Sequence, residues 1–301
     1  MTTMTAANSP SGLVMSEILS EDFWKDRFPK LSISRRSAAP LQSQQRPHQQ
    51  PLERIHERMM EDGYFGDSDA ALIPLALALA EGVKTCVSMG LPPVFIFLCD
   101  EVWECFFRLH PVISHLLGDG YKFLPAFWVW HVDPKNRESG WRPHRDRGSI
   151  ALAPDGSPFS LSLWIPLSDA NPLNSCIYVV PSGLDPTYDT KQENTFQASP
   201  VTIRALPAKP GDYLCWNQSV YHWGSPSSPF ATEPRISMSL ECQRGDILPF
   251  DNPLLEPLST PDFPVRLRLV AKQILQYQRM YGFSQELCEI ATRIIEANQT
   301  R

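Results

Sequence analysis

The segment Gly140-Trp141-Arg142-Pro143-His144-Arg145-Asp146-Arg147 sets an imidazole and a carboxylate two residues apart. In extended chain, side chains alternate between faces, so His144 and Asp146 point one way and Arg145 the other. Such a pair supplies two of the three groups of a 2-His-1-carboxylate facial triad, which suits non-haem Fe(II) and leaves coordination positions open. A lone His-x-Asp is common; it gains weight only with a second His and a group to hold a co-substrate. His222, in Ser219-Val220-Tyr221-His222-Trp223-Gly224-Ser225, follows the strand-like run 212–217. Thirteen residues on comes Arg235, opening Arg235-Ile236-Ser237-Met238-Ser239-Leu240-Glu241. Alternation sets Ile236, Met238, Leu240 and Cys242 on one face and Arg235, Ser237, Ser239 and Glu241 on the other. That polar face either meets solvent or lines a polar cavity. A guanidinium beside hydroxyls suits a carboxylate, which it grips bidentately.

The elements that must position these groups read as a mixed chain. At 301 residues, 43% hydrophobic and 20% charged, the composition is that of a soluble globular protein. A net charge of -6 offers no basic surface for nucleic acid, and no apolar run is long enough to span a membrane. The N-terminus lacks a targeting pattern. The seven cysteines form no Cys-x-x-Cys pair and read as reduced thiols of a cytoplasmic protein. The 29 prolines disfavour a helical bundle and fit short strands with shaped loops.

Residues 1–50 read as a flexible lead-in, in which only 15–28 has helical character. Residues 51–120 form a helical part packing on the core, with helices expected over 52–61, 70–89 and 99–117. Residues 121–245 form the catalytic core. Its short strands are expected at 121–132, 159–167, 176–180, 201–205, 212–217 and 234–242. Two C-terminal helices, over 265–281 and 284–298, lie in 246–301. The fold expected is mainly β with flanking helices around a double-stranded β-helix, the cupin-like jelly roll. His110, His115 and His131 read as packed or exposed rather than as ligands.

In this order the residues resemble the Fe(II)/2-oxoglutarate-dependent oxygenases, and more narrowly the phytanoyl-CoA dioxygenase family. Leu163-Trp164-Ile165-Pro166-Leu167 supports the resemblance, as does Asn174-Ser175-Cys176-Ile177-Tyr178-Val179-Val180-Pro181-Ser182-Gly183. The second run is similar to that family's Asn-Gly-Cys…Val-Pro-Gly-Ser segment, with Ser175 replacing the common Gly. The likeness covers about residues 52–245.

The resemblance implies that His144, Asp146 and His222 hold Fe(II) and form the catalytic set. It implies that Arg235 pairs with the distal carboxylate of 2-oxoglutarate, with Trp164, Ser237 and Trp128 beside it. The cofactors implied are Fe(II), 2-oxoglutarate and O2. The reaction is hydroxylation of an unactivated C–H of a small organic substrate as 2-oxoglutarate is decarboxylated to succinate. Asp146 stands where related aliphatic halogenases carry Gly or Ala, which implies hydroxyl rather than halide transfer.

Arg142 and Arg147 are candidates to receive an acidic substrate group, and loops 134–142, 183–200 and 225–233 would select the substrate. Two other classes stay open. A non-oxidative metal-dependent cupin isomerase or hydrolase often uses more His ligands and needs no Arg235. A catalytically silent binding module would usually have lost a ligand, and all three are present. The expected partner is a small molecule, with no nucleic acid and no membrane; the sequence fixes no oligomeric state.

Overall fold

The computed structural model describes residues 15–34 and 48–297. Its first elements are helices α1 (Met15–Ile18), α2 (Glu21–Arg27) and α3 (Leu52–Asp62), then strand β1 (Tyr64–Ser68) and helix α4 (Leu72–Ser88). Helix α3 stops at Gly63, whose φ of 78° is the left-handed conformation of a glycine helix stop. After a 3-10 turn (Pro93–Leu98) come α5 (Asp100–Arg108) and α6 (His110–Leu117). The sequence pattern predicted one helix over 99–117. The structure breaks it at Leu109 because Pro111, which lacks an N–H, is tolerated only in the first turn of a new helix.

Seven strands follow: β2 (Lys122–Val132), β3 (Ser160–Pro166), β4 (Ile177–Val180), β5 (Arg204–Leu206), β6 (Asp212–Asn217), β7 (Tyr221–Gly224) and β8 (Arg235–Gln243). Helices α7 (Phe263–Tyr281) and α8 (Gln285–Glu296) close the chain. A five-stranded antiparallel sheet, in the order β1-β6-β3-β8-β2, faces a three-stranded one in the order β5-β4-β7. This is the expected double-stranded β-helix core with flanking helices. "Mainly β" overstates it, since the helices hold more residues than the strands. Strands β1 and β7 were not foreseen, because Gly66, Asp67 and Ser68 in one and His222 and Gly224 in the other leave no β-branched or apolar run.

Strand β8 organises the layers. Its Ile236, Met238, Leu240 and Cys242 join the main apolar core, which includes Phe95 to Leu98 and residues of α4, α5 and α7. Its other face looks into the space between the sheets. Register there aligns Trp216, Ser162 and Glu241 across three strands, and Trp164, Ser239 and Trp128 one step along. Among the described residues, no helix is long and apolar enough to cross a membrane.

The lead-in expected to be flexible contains a docked part. Trp24 is fully buried, stacks on Phe95 with ring centroids 4.8 Å apart, and donates its indole N–H to the Ile18 carbonyl. Arg266 of α7 reaches the Ser34 and Leu98 carbonyls and the Asp100 carboxylate. The helical character expected over 15–28 is realised by packing: Ile18, Trp24 and Phe28 are all buried in the core, which holds helices too short to be stable alone. Residues 1–14 and 35–47 lie outside the described residues. Trp24→Ala should therefore lower the unfolding free energy by about 3–5 kcal/mol, the cost typical of emptying such a site. Denaturant titration checks this; a loss below about 1 kcal/mol would mean the segment adds nothing to the fold.

Candidate metal centre and adjoining pocket

The two histidines meet because their backbones do. His144 and His222 form an antiparallel bridge, each N–H donating to the other's carbonyl at 3.1 and 3.0 Å. Residues opposite one another on such a pair project side chains to the same side, and the imidazole centroids are 4.3 Å apart. Segment 143–146 is thus a bridged loop rather than a strand, and one bridge is enough to aim His144. Asp146 turns its Oδ1 toward both rings, 3.4 Å from His144 Nε2 and 3.6 Å from His222 Nε2. The three ligand atoms lie within 4.8 Å of one another.

Neighbouring groups fix which atom of each side chain faces the centre. His144 Nδ1 lies 2.7 Å from the Arg142 carbonyl, and His222 Nδ1 lies 3.2 Å from the Val220 carbonyl. A carbonyl only accepts, so Nδ1 carries the proton in each ring and Nε2 keeps its lone pair. His144 Nε2 is buried without a hydrogen-bond partner, as a metal ligand would be. Asp146 Oδ2 accepts from the Ser162 hydroxyl at 2.6 Å and the Trp216 indole N–H at 3.1 Å, leaving Oδ1 for the centre. Gln218 extends the chain: its Nε2 donates to Ser162, and its Oε1 accepts from Ser160 and Arg147.

The electrostatics suit a cation. Burial pushes His222 down to about 4 despite Asp146, so its imidazole is neutral at pH 7. Burial opposes ionisation of Asp146, yet the two histidines and the Ser162 hydroxyl hold its carboxyl below the usual carboxylate range. Two imidazole nitrogens and one carboxylate oxygen on one side of a point are the donor set of a facial-triad Fe(II) site.

The same cavity holds a buried cation. Arg235 is 1% exposed, donates to Ser237 Oγ at 2.8 Å, and lies 5.9 Å from the ring centroids of both Trp130 and Trp164. Burial lowers its pKa to about 10, still protonated at neutral pH. Arg235 Nε and the indole N–H groups of Trp130 and Trp164 are buried donors without partners. Buried donors are normally satisfied, and a carboxylate ligand would satisfy these. Gly140 and Gly224 let the loop close over the guanidinium: a Cβ on Gly140 would stand 2.6 Å from Gly224 Cα and 3.1 Å from Arg235. Ser175 sits at φ 75°, a conformation a glycine would adopt freely. Its hydroxyl accepts the Gly140 N–H at 3.1 Å, tying the loop down.

The site residues expected from sequence fare differently. Trp128, Trp164, Arg235 and the three proposed ligands all line the cavity. Ser237 is buried behind Arg235 and holds it. Arg147 is committed elsewhere, bonded to Glu241 at 2.6 Å and Gln218 at 2.8 Å, with Phe250 under its guanidinium. Arg142 is exposed and contributes its carbonyl to His144. His131 is not among the residues lining this cavity.

Sequence reasoning missed Ser162 and Gln218 as supports, Trp130 as a pocket wall, and Tyr277, which α7 brings into the cavity. The alternation of Ser160, Ser162 and Trp164 along β3 is a local signal that sets Ser162 and Trp164 on one face.

A family model described as Phytanoyl-CoA dioxygenase (PhyH) matches residues 48–231, which include the three proposed ligands and Trp164 and stop just short of Arg235. No curated protein matches the chain. Several solved structures are similar. A non-heme alpha ketoglutarate dependent epimerase, SnoN from nogalamycin biosynthesis, is 20% identical over 68% of this chain and 90% of its own, with a TM-score of 0.50. AviO1 from Streptomyces viridochromogenes Tue57 is 19% identical over 66% and 97%, with a TM-score of 0.50. A nickel complex of the non-heme monooxygenase ThoJ is 13% identical over 76% and 98%, with a TM-score of 0.53. At such identities the likeness is one of fold.

The support given to Asp146 can be measured directly. Ser162→Ala removes its 2.6 Å donor and should weaken Co(II) binding about 10-fold or more, the usual effect of losing a partner behind a ligand. Isothermal titration with Co(II) reads this, and unchanged affinity would show that Asp146 is oriented by other contacts.

Proposed function

The chain belongs to the phytanoyl-CoA dioxygenase family, and from that premise we propose that it hydroxylates an unactivated C–H bond of a small organic substrate. That family uses Fe(II), 2-oxoglutarate and O2. His144, Asp146 and His222 would hold the iron and Arg235 the distal carboxylate of 2-oxoglutarate. The observation that carries this reading is the pairing, in one cavity, of a facial donor set with a buried arginine that makes no ion pair among the described residues. Bound iron would supply the oxidising power as 2-oxoglutarate is decarboxylated to succinate and CO2.

The protein's own part is binding, orientation and exclusion of water. The Arg142 and Val220 carbonyls hold both imidazoles in one tautomer. Ser162 and Trp216 aim Asp146, and the two histidines with Ser162 favour its ionised form. The Arg235 fork and the Trp130 and Trp164 N–H groups would fix the keto acid by charge-assisted hydrogen bonds. Trp128, Trp141 and Tyr277 wall the cavity, and Trp141 is latched to the Tyr281 hydroxyl at 2.9 Å. With Asp146 on the metal, the carboxylate position is filled, which favours hydroxyl over halide transfer.

We place the catalytic core in 121–245, with 51–120 packed against it and 246–301 supplying the helix that carries Tyr277. The seven unpaired cysteines, six of them buried, favour a reducing, cytoplasmic compartment. A non-oxidative cupin chemistry leaves the buried Arg235 without a task.

Anaerobic addition of Fe(II) and then 2-oxoglutarate should raise a weak visible charge-transfer band, absent in His222→Ala. No band from the unmodified protein would remove the oxygenase reading. Arg235→Ala should weaken 2-oxoglutarate about 10- to 100-fold, from the loss of a charged hydrogen-bonded pair of about 1.5–3 kcal/mol. Iron affinity should hardly change. Equal 2-oxoglutarate affinity in variant and parent would place the anchor elsewhere.

A further inference from the structure

Arg145 stands between two proposed ligands, yet its side chain points away from them and is 5% exposed. Its guanidinium gathers three separate segments. Nε donates to the Glu193 carbonyl at 2.9 Å, and one terminal nitrogen donates to the Ser219 carbonyl. The other terminal nitrogen donates to Asp185 Oδ2 at 2.7 Å and to Thr187 Oγ1 at 2.9 Å. Its flat face lies 4.0 Å from the ring centroid of Tyr221, the residue before His222.

The segment it reaches is itself built. Asp185 Oδ1 accepts the Thr187 N–H and lies 2.8 Å from its hydroxyl, and the Glu193 carboxylate returns to accept the Ser149 N–H at 2.6 Å. Asp185 and Thr187 are buried, so this is a closed polar network rather than a surface ion pair.

We propose that Arg145 is the positioning residue of the metal centre, clamping loop 144–146 and turn 219–222 at one spacing and tying segment 185–193 to both. The inference rests on the metal reading above and adds a residue that touches neither metal nor substrate. Backbone hydrogen bonds pair the two segments on either side of Arg145, between His144 and His222 and from Arg147 and Gly148 to the Gln218 carbonyl, but they do not reach Asp185 or Thr187. The Arg145 fork adds a side-chain tie within that pair, at the Ser219 carbonyl, and joins it to segment 185–193. A single ammonium cannot reproduce it, because Lys lacks a planar array of donors. The same fork couples the centre to the loop 183–200, so binding at one should be felt in the other.

Three measurements with Co(II) as probe test this in the full chain. Arg145→Lys, which keeps the charge beside Asp185, should raise the Co(II) dissociation constant about 10- to 100-fold and alter the visible bands of the bound ion. Thr187→Val removes one acceptor far from the ligands and should weaken Co(II) by a smaller factor in the same direction. In the unmodified protein, Co(II) should slow amide hydrogen exchange over 187–195 and leave the loop 246–252 unchanged.

A folded Arg145→Lys with parental affinity and spectrum would overturn the proposal. If that variant does not fold, parental affinity in Thr187→Val together with unaltered exchange over 187–195 would overturn it as well. Failure of the unmodified protein to bind Co(II) would instead remove the metal reading, and the clamp with it.

Discussion

Two backbone hydrogen bonds, exchanged between His144 and His222, are the constraint on which the rest of the site depends. They bring together residues 78 positions apart in sequence without any side-chain interaction (222 less 144). Once the pair is formed, both rings must project to one side, and the carbonyls of Arg142 and Val220 have only to fix the tautomer. Asp146, two residues beyond, is then within reach and needs only to be turned. Ser162 and Trp216 do this from strands β3 and β6. Further backbone hydrogen bonds flank the bridge, from Gly224 to the Trp141 carbonyl and from Arg147 and Gly148 to the Gln218 carbonyl, so the two segments are held at several points.

The second organising fact is the division of strand β8. One face is apolar and packs beneath the helices; the other presents Arg235, Ser239 and Glu241 to the cavity. Burying an arginine without an acidic partner is costly. The cost is contained because Arg235 keeps one hydroxyl and lies beside two indole rings. Glu241 meets the opposite solution: burial and the nearby Asp146 raise its pKa, and Arg147 at 2.6 Å opposes them in part. One strand thus carries an unpaired cation at one end and a paired anion at the other. That asymmetry is what a site awaiting an anionic ligand at a single end requires.

The helical parts contribute more than cover. Helix α7 brings Tyr277 to the cavity and Tyr281 to Trp141, while its Arg266 fastens the segment ending at Ser34. Trp128, Trp141, Tyr277 and Tyr281 form a contiguous aromatic wall with centroids 4.7 to 5.1 Å apart at the closest contacts. Such rings exclude water from the metal side while keeping little conformational freedom. Helix α7 is accordingly part of the site.

The sequence by itself determined the candidate donors and several features of the surrounding elements. His144 and Asp146 two apart, the split faces of β8, the glycine stop after α3 and the strand nature of 212–217 were all legible, because each depends on residues within one turn or one alternation. Tertiary structure alone decided that Ser162, Trp216 and Gln218 aim Asp146, that Arg147 pairs with Glu241, and that Tyr277 and the docked Trp24 reach their places. It also placed His222 on strand β7, which was not foreseen. These partners lie tens of residues apart and meet only through sheet register and helix packing. Register is set by the summed burial of whole strands, and no short window of sequence records that sum.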